Sequence, residues 1–197
     1  MLASVSDREH QPIGVILAGG VGRRIGGDKA VVMLNGRPLI SYPLRAMGLV
    51  TPDLAVVAKA DTRLPDLPGV SVWVEPERPR HPLVGIVHAL QRADGRAVLV
   101  CAADMPLVTA AVLRSLACAD AGRAPAVIAT SEGALQPHLG LYLPAAGPLL
   151  AQAAQAADQP LRAAVSALGP ALVEVPEGVL FNVNTPDDLK TLERFGP

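Results

Sequence analysis

One stretch constrains this chain more than any other: residues 13–29, IGVILAGGVGRRIGGDK, an apolar run emptying into a glycine- and cation-rich loop. The run Ile13-Gly-Val-Ile-Leu17 suits a strand buried on both faces. The loop after it holds Gly19, Gly20, Gly22, Gly26 and Gly27, interleaved with Arg23, Arg24 and Lys29. Glycine tolerates positive φ and lets the backbone approach a ligand closely, so successive N–H groups can converge on one anion. Buried strand, amide-rich loop and clustered cations together are suited to holding a polyphosphate. The plainer alternative is a solvated surface loop with glycine turns.

Any such affinity must be local, because the formal net charge of the whole chain is only −1. That value gives no general attraction to nucleic acid or to an anionic membrane. The 197 residues are 50% hydrophobic but only 3% aromatic. An apolar mass of Ala, Val and Leu excludes disorder and suits parallel strands covered by helices, at the size of one domain. Cys101 and Cys118 fall in an expected strand and an expected helix, and two buried, reduced thiols are expected rather than a disulfide. Residues 1–11 are polar and read as a loose arm without a signal-like apolar segment, and residues 12–197 as the domain. No apolar run reaches membrane-spanning length. A soluble cytoplasmic protein is expected.

Residues 54–58, 70–74 and 97–103 read as strands, and 82–92 and 110–121 as helices. Asn35-Gly36 marks a turn. A helix is expected over 38–47, with Pro38 in its first turn and a kink or second start at Pro43. Thr109 can cap the helix after it. Residues 126–130, 139–143 and 171–175 read as further strands, with Gln136-Pro137-His138 leading into the second. Helical material at 147–168 breaks at Pro160, and a last helix covers 186–195, capped by Asn184 or Thr185. Alternating strands and helices point to a single-domain, three-layer α/β/α fold with a Rossmann-like, mostly parallel sheet.

In such sheets ligands sit beyond the carboxyl ends of the strands. The glycine loop, Glu75 and Asp104 all fall there. Asp104 directly follows seven apolar residues, so its carboxylate needs a facing cation. A hard divalent ion such as Mg²⁺ fits, since it takes one or two carboxylates plus substrate phosphates. Capping a helix near Pro106 is the structural alternative. Common phosphate and nucleophile motifs fail. Gly22-Arg-Arg-Ile-Gly-Gly27 has P-loop glycine spacing, but Asp28 stands at the lysine position. Ile25 breaks a dinucleotide GxGxxG, and GxSxG is absent. The cysteines and histidines lack zinc-site spacing. His88 reads as a satisfied histidine on an apolar helix, while His81 and His138 fall in loops near the expected cleft.

Five segments together resemble a known family: residues 17–29 (LAGGVGRRIGGDK), 34–39 (LNGRPL), 81–85 (HPLVG), 103–106 (ADMP) and 181–186 (FNVNTP). The first looks like the signature loop of nucleotidyltransferases that join a nucleoside triphosphate to an acceptor phosphate. In order and spacing the set is similar to molybdenum cofactor guanylyltransferases, which implies a fold of the nucleotide-diphospho-sugar transferase type. The resemblance implies that Leu17, Ala18 and Gly19 line a guanosine pocket with main-chain groups. It implies that Gly20, Arg24 and Lys29 hold the triphosphate, that Asp104 holds Mg²⁺, and that Asn182 and Asn184 face a pterin-bearing acceptor. Such enzymes usually carry Asp near the end of strand three to read guanine. Here Glu75 stands there, able to accept the same two hydrogen bonds but one methylene longer. GTP, molybdopterin and Mg²⁺ are the implied ligands, with other molybdenum cofactor proteins as possible partners. A cytidylyltransferase, a sugar-phosphate nucleotidyltransferase and a non-catalytic GTP-binding module are the alternatives.

Overall fold

The computed structural model describes residues 11–19, 29–79, 81–155 and 159–195. Its frame is a seven-stranded sheet built from β1 (Ile13–Leu17), β4 (Leu54–Ala58), β5 (Ser71–Val74), β6 (Val98–Ala102), β7 (Ala126–Ser131), β8 (Ala134–Tyr142) and β9 (Ala171–Glu174). The order across the sheet is β5-β4-β1-β6-β8-β7-β9. β1 pairs in parallel with both β4 and β6, β4 with β5, and β7 with β9, while β8 runs antiparallel to its neighbours β6 and β7. A short separate hairpin joins β2 (Met33–Leu34) to β3 (Arg37–Pro38).

The central strands are apolar nearly throughout because both of their faces are covered. α1 (Ser41–Gly48) and α3 (Ala110–Cys118) pack Leu44, Met47, Leu113 and Leu116 against Ile16, Val56 and Leu99 on one face. α2 (Pro82–Arg92), α4 (Ala146–Gln155) and α5 (Leu161–Ala167) pack Ile86, Leu90, Leu150 and Val165 against Val15, Val57 and Val100 on the other. Adjacent strand residues such as Val15 and Ile16 thus serve opposite layers, as the two-residue period of a strand requires. Gly14 sits where α1 comes closest. A Cβ there would lie 2.4 Å from Met47 Cγ and 2.8 Å from Thr51 Cγ2. A smaller third cluster, Leu34, Leu39, Val183 and Leu192, ties α6 (Pro186–Phe195) to the hairpin.

Several expectations are corrected. The first helix starts at Ser41, and Pro38 belongs to β3, because Asn35 and Gly36 take φ 48° and 76° and close a hairpin. Pro43 then falls in the first turn of α1, where backbone N–H groups have no intrahelical acceptor, so it neither kinks the helix nor restarts it. Gln136, Pro137 and His138 lie within β8 rather than leading into it. The β7–β8 register shifts between Ile128 and Ala129, an irregularity that accommodates a proline inside a paired strand. Tyr142 Oη donates to Pro137 O at 2.5 Å across it. Cys101 is buried, its thiol pushed far up by burial, but Cys118 at the end of α3 is exposed. The expected arm lies outside the described residues except for Gln11, whose carbonyl accepts two hydrogen bonds from Arg96.

Candidate active site

The polar groups at the carboxyl ends of the parallel strands form a row in sheet order. Glu75 follows β5, Lys59 follows β4, Ala18 and Gly19 follow β1, and Asp104 stands just beyond β6. The pairing persists to these ends: Glu75 N–H donates to Ala58 O at 2.9 Å, Ala18 N–H to Val57 O at 2.8 Å, and Ala103 N–H to Leu17 O at 3.0 Å. Sheet order reverses at β1, with β4 and β5 on one side and β6 on the other. That is the topological switch point at which α/β sheets open a crevice. A cleft of about 440 Å³ lies there, lined by this row and by Lys29, His81, His138, Asn182 and Asn184.

At the β6 end, Lys29 Nζ lies 2.6 Å from Asp104 Oδ2 and 2.7 Å from Asn184 Oδ1. The side chains of Lys29 and Asp104 are only 17% and 19% exposed, so the ion pair is partly withdrawn from water. The 181–186 segment reaches them because Val183 N–H donates to Asp104 O at 2.9 Å while the Val183 side chain is buried in the third cluster. Extended backbone alternates its side chains, so burying Val183 presents Asn182 and Asn184 to the cleft. Asp188 holds the segment from behind, its carboxylate accepting from the N–H groups of Asn184 and Thr185, both at 2.8 Å. Thr185 Oγ1 returns an acceptor to Asp188 N–H at 3.2 Å, a capping box that makes Thr185 the cap of α6. Slight burial raises the Asp188 pKa, but those hydrogen bonds and the Lys29 charge outweigh it and hold the carboxyl below its usual range.

At the β5 end, Glu75 and Lys59 are almost completely buried, 6% and 4% exposed. Lys59 Nζ lies 3.4 Å from Glu75 Oε1 and donates to Pro76 O. Gly19 and Gly85 make room for this carboxylate. A Cβ on Gly19 would come within 2.6 Å of Glu75 Oε1, and one on Gly85 within 3.3 Å of Oε2. His81 caps α2 with Nδ1 accepting from Leu83 N–H at 3.2 Å. His138 is kept neutral near pH 7 because burial lowers its pKa. Asp104 opposes that shift, and Lys29 and His81 reinforce it. His88, half-buried on α2, does not line the cleft and is lowered by burial, then by Arg92 and Lys59.

Leu17, Ala18, Gly19, Lys29, Glu75, Asp104, Asn182 and Asn184 are thus gathered into one cleft. Gly20, Arg23 and Arg24 lie outside the described residues. Sequence reasoning missed Lys59, although the signal was present: a lysine directly after the apolar residues 54–58 stands as Asp104 does after its own strand. Among the described residues no group of three or more His, Cys, Asp or Glu side chains is placed to hold a metal ion, and no helix is long and apolar enough to cross a membrane.

Comparison with known proteins follows the same lines. A family model described as the MobA-like NTP transferase domain matches residues 14–172. The chain is 35% identical to a probable molybdenum cofactor guanylyltransferase of Chloroflexus aggregans, covering 92% of this chain and 93% of that protein. It is 33% identical to the molybdenum cofactor guanylyltransferase of Cereibacter sphaeroides, over 91% and 94% of the two chains. Among solved structures, molybdopterin-guanine dinucleotide biosynthesis protein A from Archaeoglobus fulgidus superposes with a TM-score of 0.71 at 25% identity, covering 92% of this chain and 97% of that one. The 2-C-methyl-D-erythritol 4-phosphate cytidylyltransferase of Thermus thermophilus shares the fold at a TM-score of 0.66 and 21% identity, over 93% and 98% of the chains. With a matching sheet, a cleft at its switch point and relatives along almost its whole length, the chain belongs to the MobA-like NTP transferase family and is a nucleotidyltransferase.

Proposed function

We propose that this enzyme transfers GMP from GTP to the terminal phosphate of molybdenum-bound molybdopterin, giving the guanine dinucleotide form of the cofactor and pyrophosphate. The observation that carries the reading is the pair of charged groups that face each other along the cleft. The buried Glu75 carboxylate with Lys59 lies at one end, the Lys29 ammonium bridging Asp104 and Asn184 at the other, and the main chain of residues 17–19 between. Three strand spacings of about 4.8 Å separate the β5 and β6 ends, roughly 14 Å. That length suits a nucleotide laid across the strand ends, with its base toward Glu75 and its phosphates toward Lys29. The names of the relatives support guanylyl transfer in particular.

In this reading Glu75 accepts from the N1–H and N2–H groups of guanine, and Leu17, Ala18 and Gly19 pack against the nucleoside through main-chain atoms. An anionic oxygen of the acceptor phosphate attacks the α-phosphorus, and the bond from that phosphorus to the bridging oxygen of pyrophosphate breaks. The acceptor is already ionised, so no general base is required. Catalysis then rests on positioning and charge stabilisation. Lys29 stands between the Asp104 side and the Asn184 side of the cleft, where negative charge from both substrates meets. Gly20 and Arg24 are assigned to the triphosphate on the resemblance of the loop sequence, and Asn182 and Asn184 to orienting the acceptor.

Asp104 also fits Mg²⁺. A lone carboxylate beside a phosphate site matches an ion that takes one protein ligand and completes its shell with substrate oxygens and water. When bound there, Mg²⁺ supplies charge neutralisation to the triphosphate.

Pyrophosphate release from GTP, CTP, ATP and UTP, each with and without molybdopterin, tests the reading. Release is expected from GTP only when the acceptor is present. Release from CTP instead identifies a cytidylyltransferase, and GTP binding without release identifies a binding module.

A further inference from the structure

A lysine with 4% of its surface exposed is costly to bury, and an apolar side chain of the same length would fill the space without that cost. Lys59 nevertheless lies at the carboxyl end of β4, lines the cleft, and sets its ammonium 3.4 Å from Glu75 Oε1. Its donation to Pro76 O uses one of three ammonium protons and anchors the head group beside that carboxylate. We infer that Lys59 is a specificity-determining residue that donates to the O6 carbonyl of the guanine ring, completing with Glu75 a three-point reader of the base. This rests on the guanylyl reading above.

The chemistry of the base edge supports the assignment. Guanine presents, in sequence, the O6 acceptor, the N1–H donor and the N2–H donor. A carboxylate that accepts from N1–H and N2–H leaves O6 next to the oxygen that takes N1–H. A cation beside that oxygen therefore meets O6, and Lys59 is a cation beside one Glu75 oxygen. Cytosine and adenine turn a ring-nitrogen lone pair toward the carboxylate, and uracil turns a carbonyl toward it. Guanine alone satisfies both carboxylate oxygens and the ammonium. The carboxylate in turn keeps the buried lysine compensated before the nucleotide arrives, so the reader is preorganised.

Analogues that alter one point of the edge test the inference. Binding of GTP, CTP, inosine triphosphate (no N2 amine) and 6-thioguanosine triphosphate (O6 replaced by the weaker acceptor sulfur, N1–H and N2 amine kept) is measured by calorimetry for the wild type, Lys59→Met and Lys59→Gln. A hydrogen bond to a charged donor corresponds to about a tenfold to hundredfold effect on affinity. Wild type is expected to prefer GTP over the 6-thio nucleotide by about tenfold or more. Lys59→Met is expected to lose about tenfold or more of that preference while keeping its preference for GTP over inosine triphosphate, which belongs to Glu75. Lys59→Gln, whose amide still donates, is expected to recover part of the preference. An equal loss of affinity for every nucleotide in Lys59→Met, or an unchanged preference in both variants, overturns the inference and leaves Lys59 as charge compensation only. If Lys59→Met does not fold, the Gln variant and the wild-type ratio decide: a wild-type protein indifferent to the replacement of O6 by sulfur also overturns it. A wild type that binds CTP as well as GTP overturns the guanylyl reading itself, which is a distinct result.

Discussion

Lys29 makes the contacts on which the proposed chemistry turns. Its ammonium sits 2.6 Å from Asp104 and 2.7 Å from Asn184, linking the expected metal ligand to the expected acceptor site. Because such preorganised charge contributes on the order of a hundredfold or more to rate, Asp104→Ala and Lys29→Ala are each expected to lose at least about a hundredfold in GTP-dependent transfer. Circular dichroism should show both folded. Near-wild-type pyrophosphate release in Asp104→Ala would remove it from the metal role. His138 carries a separate prediction. Burial holds its imidazole neutral in the folded protein, with Lys29 and His81 adding to the shift and Asp104 opposing it. The unfolded chain therefore binds the proton first as pH falls through 6.5, so stability declines below that value. Denaturant melts between pH 5 and 7.5 should show a flatter profile for His138→Gln than for wild type.

Among the elements, α6 and β1 place the site in different ways. α6 holds Asn184 through a capping box in which Asp188 accepts from the Asn184 and Thr185 amides. Removing the carboxylate by Asp188→Ala is expected to cost about 1 kcal/mol of stability and to raise KM for the acceptor more than KM for the nucleotide. Steady-state kinetics with each substrate varied separately checks the second part. Because the folded state lowers the Asp188 pKa, its contribution is present above the ordinary value of 3.8 and is lost as pH falls through the lowered one. β1 depends instead on the absence of a side chain. With Met47 Cγ 2.4 Å from where a Cβ would stand, Gly14→Ala is expected to cost about 1–3 kcal/mol, read as a lower midpoint in urea. Neither Met47 nor the backbone of β1 can move without disturbing the strand that carries Ala18 and Gly19.

Over the whole molecule, burial falls off from the centre of the sheet to its edges. Every residue of β6 is buried, whereas β9 alternates between half-buried and exposed positions and β5 is exposed at every residue but Trp73. Local opening follows burial, so amide exchange is expected to be slowest in β1, β4 and β6 and faster by orders of magnitude in β5 and β9. Protection as strong in β5 as in β6 would mean that this edge is covered in solution. The gradient bears on function, because Glu75 hangs from the edge strand β5 while Asp104 extends from a fully buried one. The Glu75 end of the cleft is therefore the end expected to adjust when nucleotide binds.

What the amino-acid order determined by itself were the elements with strong local patterns. Continuous apolar runs at 13–17, 54–58 and 97–103 suit buried strands in a helix-covered sheet, and Asn35-Gly36 suits a tight turn. The strand-end rule then made Glu75 and Asp104 legible, because a carboxylate after an apolar run needs a reason to be there. Local pattern could not determine which strand lies beside which, and hence that Lys59 faces Glu75 or that Asn184, 155 positions beyond Lys29, shares its ammonium with Asp104. Nor could it place Pro43 in a helix's first turn, since that depended on a hairpin capturing Pro38, or carry β8 through Pro137, which needed the shifted pairing with β7. Those outcomes are set by contacts between segments far apart in the chain. A residue's local preference is worth about 1 kcal/mol or less, while the burial that sheet order and layer packing decide is worth several times that for each large side chain.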